Sequence, residues 1–551
     1  MLAANIILTG MMGAGKSTIG QILAGKLARS FADLDLIIEQ RAGITIQEVF
    51  RRYGEAQFRT WETEALREVL TREYQVVATG GGVVASQENR HLMQGHPIVW
   101  LALDSSNAAR RLTFDGQRPL LGSTLPGEDG DLTSVADQGM ANWQRLEQQR
   151  RWAYSQCDWV VDATLPPVVV ADEIAAWWQR IAAKQQPWEI EHLRVEIPED
   201  SYSIHVGHGV LTNLGSRCRA EALLEQVLLV SNPTVFELYG AEAVGSLQAA
   251  DLKWDTVLIP DGEEHKHLQT VESIYTAAVK AGLDRWSGII ALGGGVVGDV
   301  AGFAAATYMR GVKLVQVPTT LLAQVDSSVG GKVGVNHPQG KNLIGSFYQP
   351  SMVLVDLQTL RTLPRRQFLT GMAEVIKYAL IADRDLIEEL EKHADGEVPP
   401  PTLTDWVRGC CQLKAEVVAS DAQETGYREG LNFGHTVGHG VEKVAGYGRY
   451  THGEAIAIGM VTAAILSYLR GYLTRSDCQT VVRLLETWQL PTGIGQLSVP
   501  SIVATCRLDK KVRAGQLRFV LLEHLGKAKV GEVVTEEELT EAFRIQKEGG
   551  P

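Results

Sequence analysis

Four residues, Glu374, His435, His439 and His452, have the types and surroundings that a catalytic divalent cation needs. A carboxylate with two or three imidazoles gives three protein ligands and leaves coordination positions open for substrate. They stand in GMAEVIKYAL (371–380), LNFGHTVGHGVE (431–442) and THGEAIAIGM (451–460). The glycines, asparagine and lysines around them argue against a closed structural zinc and for an oxygen-rich anionic ligand. Glu374 and Lys377 at i, i+3 share one helix face, and His435 and His439 at i, i+4 share another. The histidine pair is not the HExxH of zinc proteases, because no glutamate follows the first histidine.

A second chemistry stands at the start of the chain. GMMGAGKST (10–18) matches G-x-x-x-x-G-K-[ST] between an apolar strand pattern and a helical one. Gly13, Ala14 and Gly15 can wrap phosphates with backbone N–H groups, helped by the positive end of the helix. Lys16 would reach the outer phosphates of ATP, and Ser17 would ligate Mg²⁺, with Thr18 beside it. FADLD (31–35) is read as extended, so Asp33 and Asp35 at i, i+2 point the same way. One can assist magnesium through water, and the other can take a proton from an acceptor hydroxyl. Arg59, the glycines 80–82, Arg118 and Arg150 add donors suited to a carboxylate and phosphates.

A third signal is GGGVVGD (293–299), with G-x-G-x-x-G after a strand and before a helix, as in pyrophosphate-binding turns. The acid of the ordinary dinucleotide fold about twenty residues on is absent, since that region reads VPTTLLAQ. The segment 318–350 is dense in Thr, Ser, Asp, Lys, Asn and Gly. Such a segment is poor core material and suits a polyhydroxylated, phosphorylated ligand, with Lys332 and Lys341 supplying charge and Asn342 hydrogen bonds.

These groups need elements to place them. At 551 residues the chain exceeds one hydrophobic core and should hold two or three domains. Strands at 5–9, 75–79, 98–103 and 158–162 alternate with helical patterns, which implies a parallel sheet covered on both faces and closed by a helix near 171–183. After a polar connector, strands at 227–231, 256–260, 288–292 and 314–317 predict a second α/β unit. Beyond about 365 the helical period dominates, over 368–394, 403–419, 453–471 and 478–488, with 396–403 as a proline-rich loop. The expected division is 1–184, a linker 185–191, a nucleotide-binding unit 192–364 and a helical metal-binding unit 365–551. A net charge of -13 argues against general nucleic-acid binding. The six cysteines show no CxxC spacing and read as reduced thiols. No basic stretch with a long apolar core opens the chain, and the apolar run 455–466 is short for a membrane span. A cytoplasmic protein is expected.

Residues 1–180 resemble shikimate kinase through GMMGAGKST, FADLD, Phe58-Arg59, TGGG (79–82) and RPLL (118–121). The resemblance implies an NMP-kinase-like P-loop fold and ATP with Mg²⁺. It places shikimate on Asp35, Arg59, Gly81 and Gly82, with the catalytic work on Lys16 and Asp35 and Arg118 in a lid over ATP. The family's late arginine falls on Arg150, with Arg151 as the alternative, because RRWAY lacks the usual proline and leucine.

Residues 192–545 resemble 3-dehydroquinate synthase through DGEEHK (261–266), GGGVVGDVAGF (293–303), the 318–350 segment, GMAEVIKY, LNFGHTVGH and HGEAIAIGM. The resemblance implies NAD, one zinc or cobalt ion and a homodimer formed through this half. Carried over, the metal ligands are Glu374, His435 and His452. NAD contacts fall on Asn232, Glu263, Lys266, Gly294, Gly295, Val296, Asp299, Thr319 and Thr320. The heptulosonate phosphate falls to Arg310, Asp326, Lys332, Lys341, Asn342, Lys377, Lys414, Arg428, Asn432 and one lysine of the pair Lys510, Lys511. Asp326 would orient the hydroxyl being oxidised, Arg310 and Lys377 would act beside it, and Glu424 and His439 are the acid/base candidates. The expected whole is a fusion of two non-consecutive enzymes of aromatic precursor biosynthesis. A sister sugar-phosphate cyclase, a gluconate- or nucleotide-type kinase, and an ATP-binding regulatory module in place of the kinase are the competing readings.

Overall fold

The computed structural model describes residues 4–112, 132–184, 189–198, 200–393, 398–424, 426–446, 448–507 and 517–550. The chain is α/β and divides into two compact units. Residues 1–190, 210–225 and 242–253 form the first, and 191–209, 226–241 and 254–551 form the second. The expected boundary near 184 therefore misses two segments, 210–225 and 242–253, which cluster with the N-terminal unit.

In the first unit, β1 (Ile6–Thr9), β2 (Ser30–Asp33), β3 (Gln75–Ala78), β4 (Ile98–Ala102) and β5 (Trp159–Asp162) form a parallel sheet in the order β2-β3-β1-β4-β5. Nearly every residue of β1, β3, β4 and β5 is buried, the pattern of a sheet with helices on both faces. The helix Lys16–Leu27 follows β1 after a turn in which Gly13 (φ 90°) and Gly15 (φ 83°) take left-handed conformations. FADLD is not extended throughout. The strand stops at Asp33, whose side chain accepts the N–H of Asp35 at 3.0 Å and caps the helix Leu34–Ala42. Asp33 and Asp35 thus lie on different elements and do not share a strand face.

The second unit holds β6 (Glu191–Val195), β7 (Tyr202–Gly207), β8 (Gln226–Ser231), β9 (Lys253–Leu258), β10 (Gly288–Gly293), β11 (Lys313–Pro318), the hairpin β12 (Lys332–His337) and β13 (Gly340–Phe347), and β14 (Met352–Asp356). Its main sheet runs β6-β7-β14-β11-β10-β8-β9, with an antiparallel edge pair β6/β7. The strand β10 delivers Gly293 and Gly294 to the start of the helix Gly295–Thr307. The hairpin β12/β13 occupies the segment read from sequence only as ligand-binding material.

Helices dominate from Arg365 onward, accompanied by the hairpin β15 (Arg518–His524) and β16 (Lys527–Val533). The single helix expected over 368–394 is two, Arg365–Ala382 and Arg384–Lys392, because Asp383 leaves the helical conformation and caps the second. The prolines of the expected loop 396–403 open a helix instead. Pro400 starts Pro400–Ser420, where a missing N–H costs nothing. Among the described residues the only helix long and apolar enough to cross a membrane is His452–Leu469, and its apolar window is 78% buried within the core. All six cysteines are buried, and none is in a disulfide.

Candidate active sites

In the N-terminal unit Lys16 Nζ donates to the carbonyls of Gly10 (2.8 Å) and Met11 (3.1 Å), folded back over its own loop. The Ser17 hydroxyl donates to Asp33 Oδ2 at 2.6 Å, which puts an alcohol and a carboxylate together where Mg²⁺ with ATP would sit. Gly10 backs onto β4, and a Cβ there would come 2.6 Å from the carbonyl oxygen of Leu101. The TGGG turn abuts Arg59 and Asp35, which the sequence reading assigns to the acceptor. A Cβ on Gly82 would meet Arg59 Nη1 at 2.2 Å, and one on Gly80 would meet Asp35 Oδ1 at 3.0 Å. Arg59 pairs with Glu62 (2.8 Å) and Glu55 (2.9 Å). Burial raises the Asp35 carboxyl, with partial opposition from Lys16. Arg150 is buried and donates to the Gly81 carbonyl at 3.1 Å, joined there by the Tyr154 hydroxyl. Arg151 is instead paired with Glu147 at 2.8 Å. Arg118 lies outside the described residues. Glu62 and Tyr154 were not singled out from sequence. Glu62 sits at i+3 from Arg59, which is the one local signal it offered.

In the second unit a cavity of about 180 Å³ is lined by Asp299, Asp326, Lys332, Asn342, Lys377, Lys414, Glu424, Arg428, Asn432 and His435 among others. Elements spread from residue 299 to residue 435 converge here. Arg365–Ala382 supplies Glu374 and Lys377, and Pro400–Ser420 supplies Lys414. The turns around 326 and 424–432 supply Asp326, Glu424, Arg428 and Asn432, and His435 opens the helix His435–Ala445. Lys414 Nζ donates to Asp326 Oδ1 at 2.6 Å, and the Tyr378 hydroxyl donates to the same oxygen at 3.0 Å. Burial opposes ionisation of Asp326, but Lys414 and Lys377 outweigh it and hold the carboxyl well below the usual range. Lys332 pairs with Glu424 at 2.6 Å, and Asn432 Nδ2 donates to Glu424 at 3.2 Å. Burial notwithstanding, Lys332 and Asn432 keep Glu424 low as well. Lys341 pairs with Glu442 at 3.1 Å.

Glu374 is fully buried, and Lys377 lies 2.5 Å from its Oε2. Among the described residues Oε1 accepts no hydrogen bond. It faces His435 Nε2 at 3.6 Å and His452 Nε2 at 3.5 Å, and the three donor atoms lie within 4.8 Å of one another. Ligands on a tetrahedral ion with bonds of ~2.1 Å stand about 3.4 Å apart, so this set fits one zinc- or cobalt-like ion. His439 is exposed beside His435, with ring centroids 5.6 Å apart. Its ring centroid is also 6.1 Å from that of His452, and with Glu442 and His452 it forms a second group whose donor atoms lie within 4.8 Å of one another.

The glycine turn fits a nucleotide. Thr319 Oγ1 is buried without a hydrogen bond among the described residues, and a Cβ on Gly294 would come 3.1 Å from Thr320. Buried Lys266 binds Asp299 and donates to Asn342 Oδ1 at 2.6 Å, tying the turn to β13. Glu263 accepts from Asn336 at 2.8 Å, and Asn232 caps the turn after β8. Val296 stands in the first turn of Gly295–Thr307. Arg310 is exposed and does not line the cavity. Lys510 and Lys511 lie outside the described residues. Tyr378 and Glu442 were missed in the sequence. Their signal was helical phase, Tyr378 at i+4 from Glu374 and Glu442 at i+7 from His435.

Comparison with known proteins separates the two units. Family models match 3-dehydroquinate synthase N-terminal over 256–370, 3-dehydroquinate synthase C-terminal over 371–512, and shikimate kinase over 12–178. A 3-dehydroquinate synthase from Pelobacter propionicus is 48% identical over 350 residues, which is 63% of this chain and 98% of that one. The chain belongs to the 3-dehydroquinate synthase family. A relative of the same description from Pelotomaculum thermopropionicum is 51% identical over 62% of this chain and 93% of its own length. This synthase also carries a shikimate kinase domain. Among solved structures, ValA, a 2-epi-5-epi-valiolone synthase from Streptomyces hygroscopicus with NAD⁺ and Zn²⁺ bound, gives a TM-score of 0.60. It is 30% identical and covers 64% of this chain and 99% of its own. A 2-deoxy-scyllo-inosose synthase complexed with carbaglucose-6-phosphate, NAD⁺ and Co²⁺ gives 0.58, also at 30%, over the same shares.

Proposed function

We propose that residues 1–184 hold the site for ATP-dependent phosphorylation of shikimate. In this reading residues 192–551 hold the site that converts 3-deoxy-D-arabino-heptulosonate 7-phosphate to 3-dehydroquinate with loss of phosphate. The observation that carries the second assignment is the buried Glu374 carboxylate, with Oε1 left between two imidazoles at the edge of a lysine-lined cavity. Glu374, His435 and His452 would hold zinc or cobalt, which when bound lowers a substrate hydroxyl pKa and polarises a carbonyl. Asn232, Glu263, Lys266, Gly294, Gly295, Val296, Asp299, Thr319 and Thr320 would hold NAD, which accepts a hydride and returns it.

The chain's own residues bind and orient. Lys332, Lys341, Asn342, Lys414, Arg428 and Asn432 receive the phosphate and carboxylate, a cation set that a simple alcohol dehydrogenase does not need. Asp326, held ionised, can only accept a hydrogen bond, so it orients the hydroxyl being oxidised and does not act as an acid. Glu424 is ionised too, which suits a base. His439 remains the acid/base alternative, and Lys377 steadies Glu374. The departing phosphate can carry the proton itself, leaving the protein a positional and electrostatic task.

In the kinase, Gly13 to Thr18 wrap the phosphates, Lys16 reaches them, and Ser17 and Asp33 flank Mg²⁺. Asp35, raised by burial toward the working pH, takes the acceptor proton. Arg59 and Arg150 hold the shikimate carboxylate against Gly81 and Gly82. Arg150 is favoured over Arg151 because it alone turns to that loop.

Lys16→Ala is expected to abolish phosphorylation and spare cyclisation, and His435→Ala the converse. Loss of both activities from either change would contradict separate sites. Assay with shikimate beside gluconate tests the kinase's acceptor. The reading includes a cytoplasmic homodimer assembled through the synthase half, and sedimentation as a monomer would remove the dimer.

A further inference from the structure

We propose that Arg217 is a positioning residue for shikimate binding, supplied to the kinase site from beyond the sequence that the kinase family covers. This rests on the shikimate kinase reading above. Arg217 lies past residue 178, where the kinase match ends, and between β7 and β8, two strands of the second unit's sheet. Its segment, 210–225, is nevertheless part of the first compact unit.

Two side chains seat that segment. Strand β5 is an edge strand, with backbone groups left open. Asn213 closes it at one residue: its Oδ1 accepts from Val160 N and its Nδ2 donates to Val160 O, both at 2.9 Å. One helical turn on, Arg217 is fully buried. It donates to the carbonyls of Ser155 (3.3 Å) and Cys157 (2.6 Å) and pairs with Glu221 at 2.6 Å. Ser155 ends the helix Leu132–Ser155, where a cation is favoured, and its carbonyl also accepts from Cys157 N at 2.8 Å.

That helix holds the acceptor side of the site. Its Trp143 donates to the Met12 carbonyl of the phosphate loop at 3.1 Å, and Arg150 and Tyr154 both donate to Gly81. The C-terminal end of the helix that carries Arg150 and Tyr154 is therefore fixed by Arg217. Burying a guanidinium costs several kcal/mol unless it is fully paired, so packing alone would be served better by an apolar side chain. The planar fork reaches two carbonyls and a carboxylate together, which an ammonium cannot reproduce.

The test uses full-length Arg217→Met and Arg217→Lys, with separate kinetics for shikimate, ATP and cyclisation. For Arg217→Met the shikimate KM should rise about tenfold or more, while the ATP KM and cyclisation stay within about twofold. Arg217→Lys should recover part of the loss. Unchanged KM values, or equal rises for both kinase substrates, would overturn the proposal. Should Arg217→Met fail to fold, amide exchange of the unaltered chain decides. Saturating shikimate must then slow exchange in 210–225 together with 150–160, and slowing of 150–160 alone overturns it. Absence of shikimate turnover in the unaltered chain would instead remove the kinase reading itself.

Discussion

Lys414 shows how one residue's surroundings set a pH limit. Burial pushes its ammonium down from an ordinary 10.5 to about 8, with Asp326 opposing the fall. The charge proposed to meet the substrate's phosphate or carboxylate is present below that value and lost above it. The synthase KM for the heptulosonate phosphate should therefore climb as pH passes 8, while phosphorylation by the same chain does not share that rise. Unfolding cannot mimic this through Lys414. Between about 8 and 10.5 the unfolded state binds the extra proton, so this group's contribution to stability grows with pH there. A flat KM from pH 7 to 9 would show that Lys414 is not the anion's partner. Single residues were legible in the sequence where spacing placed them together, as in Lys16 with Ser17 or Glu374 with Lys377. Asp33 was misread because the hydrogen bond that makes it a helix cap depends on where β2 stops, which two acids at i, i+2 do not reveal. Glu62 offered only its i, i+3 spacing to Arg59 and Glu442 only its phase from His435, and it takes the folded chain to put Glu442 beside Lys341.

Among the elements, the crossing of His435–Ala445 with His452–Leu469 matters most, since each helix carries one imidazole of the proposed metal set. Glycines on both sides let them approach. A Cβ on Gly459 would sit 2.0 Å from the Gly434 carbonyl oxygen and 2.9 Å from Gly438 N. In an ordinary helix Gly→Ala gains up to about 1 kcal/mol, but overpacking against rigid backbone costs typically about 1–3 kcal/mol. Gly459→Ala should thus be destabilising, with a lower denaturation midpoint and weaker zinc binding to the metal-free protein. An unchanged midpoint would mean that the crossing can open at no cost. Strands and long amphipathic helices were readable from period alone. The hairpin β12/β13 was not, because its glycine-, lysine- and asparagine-rich residues lack an alternating pattern. The helix from Pro400 hid behind prolines that a first turn accepts.

For the whole molecule, two catalytic units share a chain whose sequence order does not follow its structural division. Family resemblance located both enzymes, yet segments 210–225 and 242–253 join the first unit only through long-range packing, to which no local pattern points. The buried thiols, none of them in a disulfide, give this division a clock. Cys157 and Cys218 belong to the first unit, and Cys410, Cys411, Cys478 and Cys506 to the second. Burial raises the Cys157, Cys411 and Cys478 thiols to about 12, so hardly any thiolate exists at neutral pH. An alkylating reagent should leave the native chain unmarked and tag each unit only when that unit opens. Mass spectrometry of a slow labelling course would then resolve a pair of tags and a quartet, each with its own opening rate. Saturation with shikimate should retard the pair, and NAD with zinc the quartet.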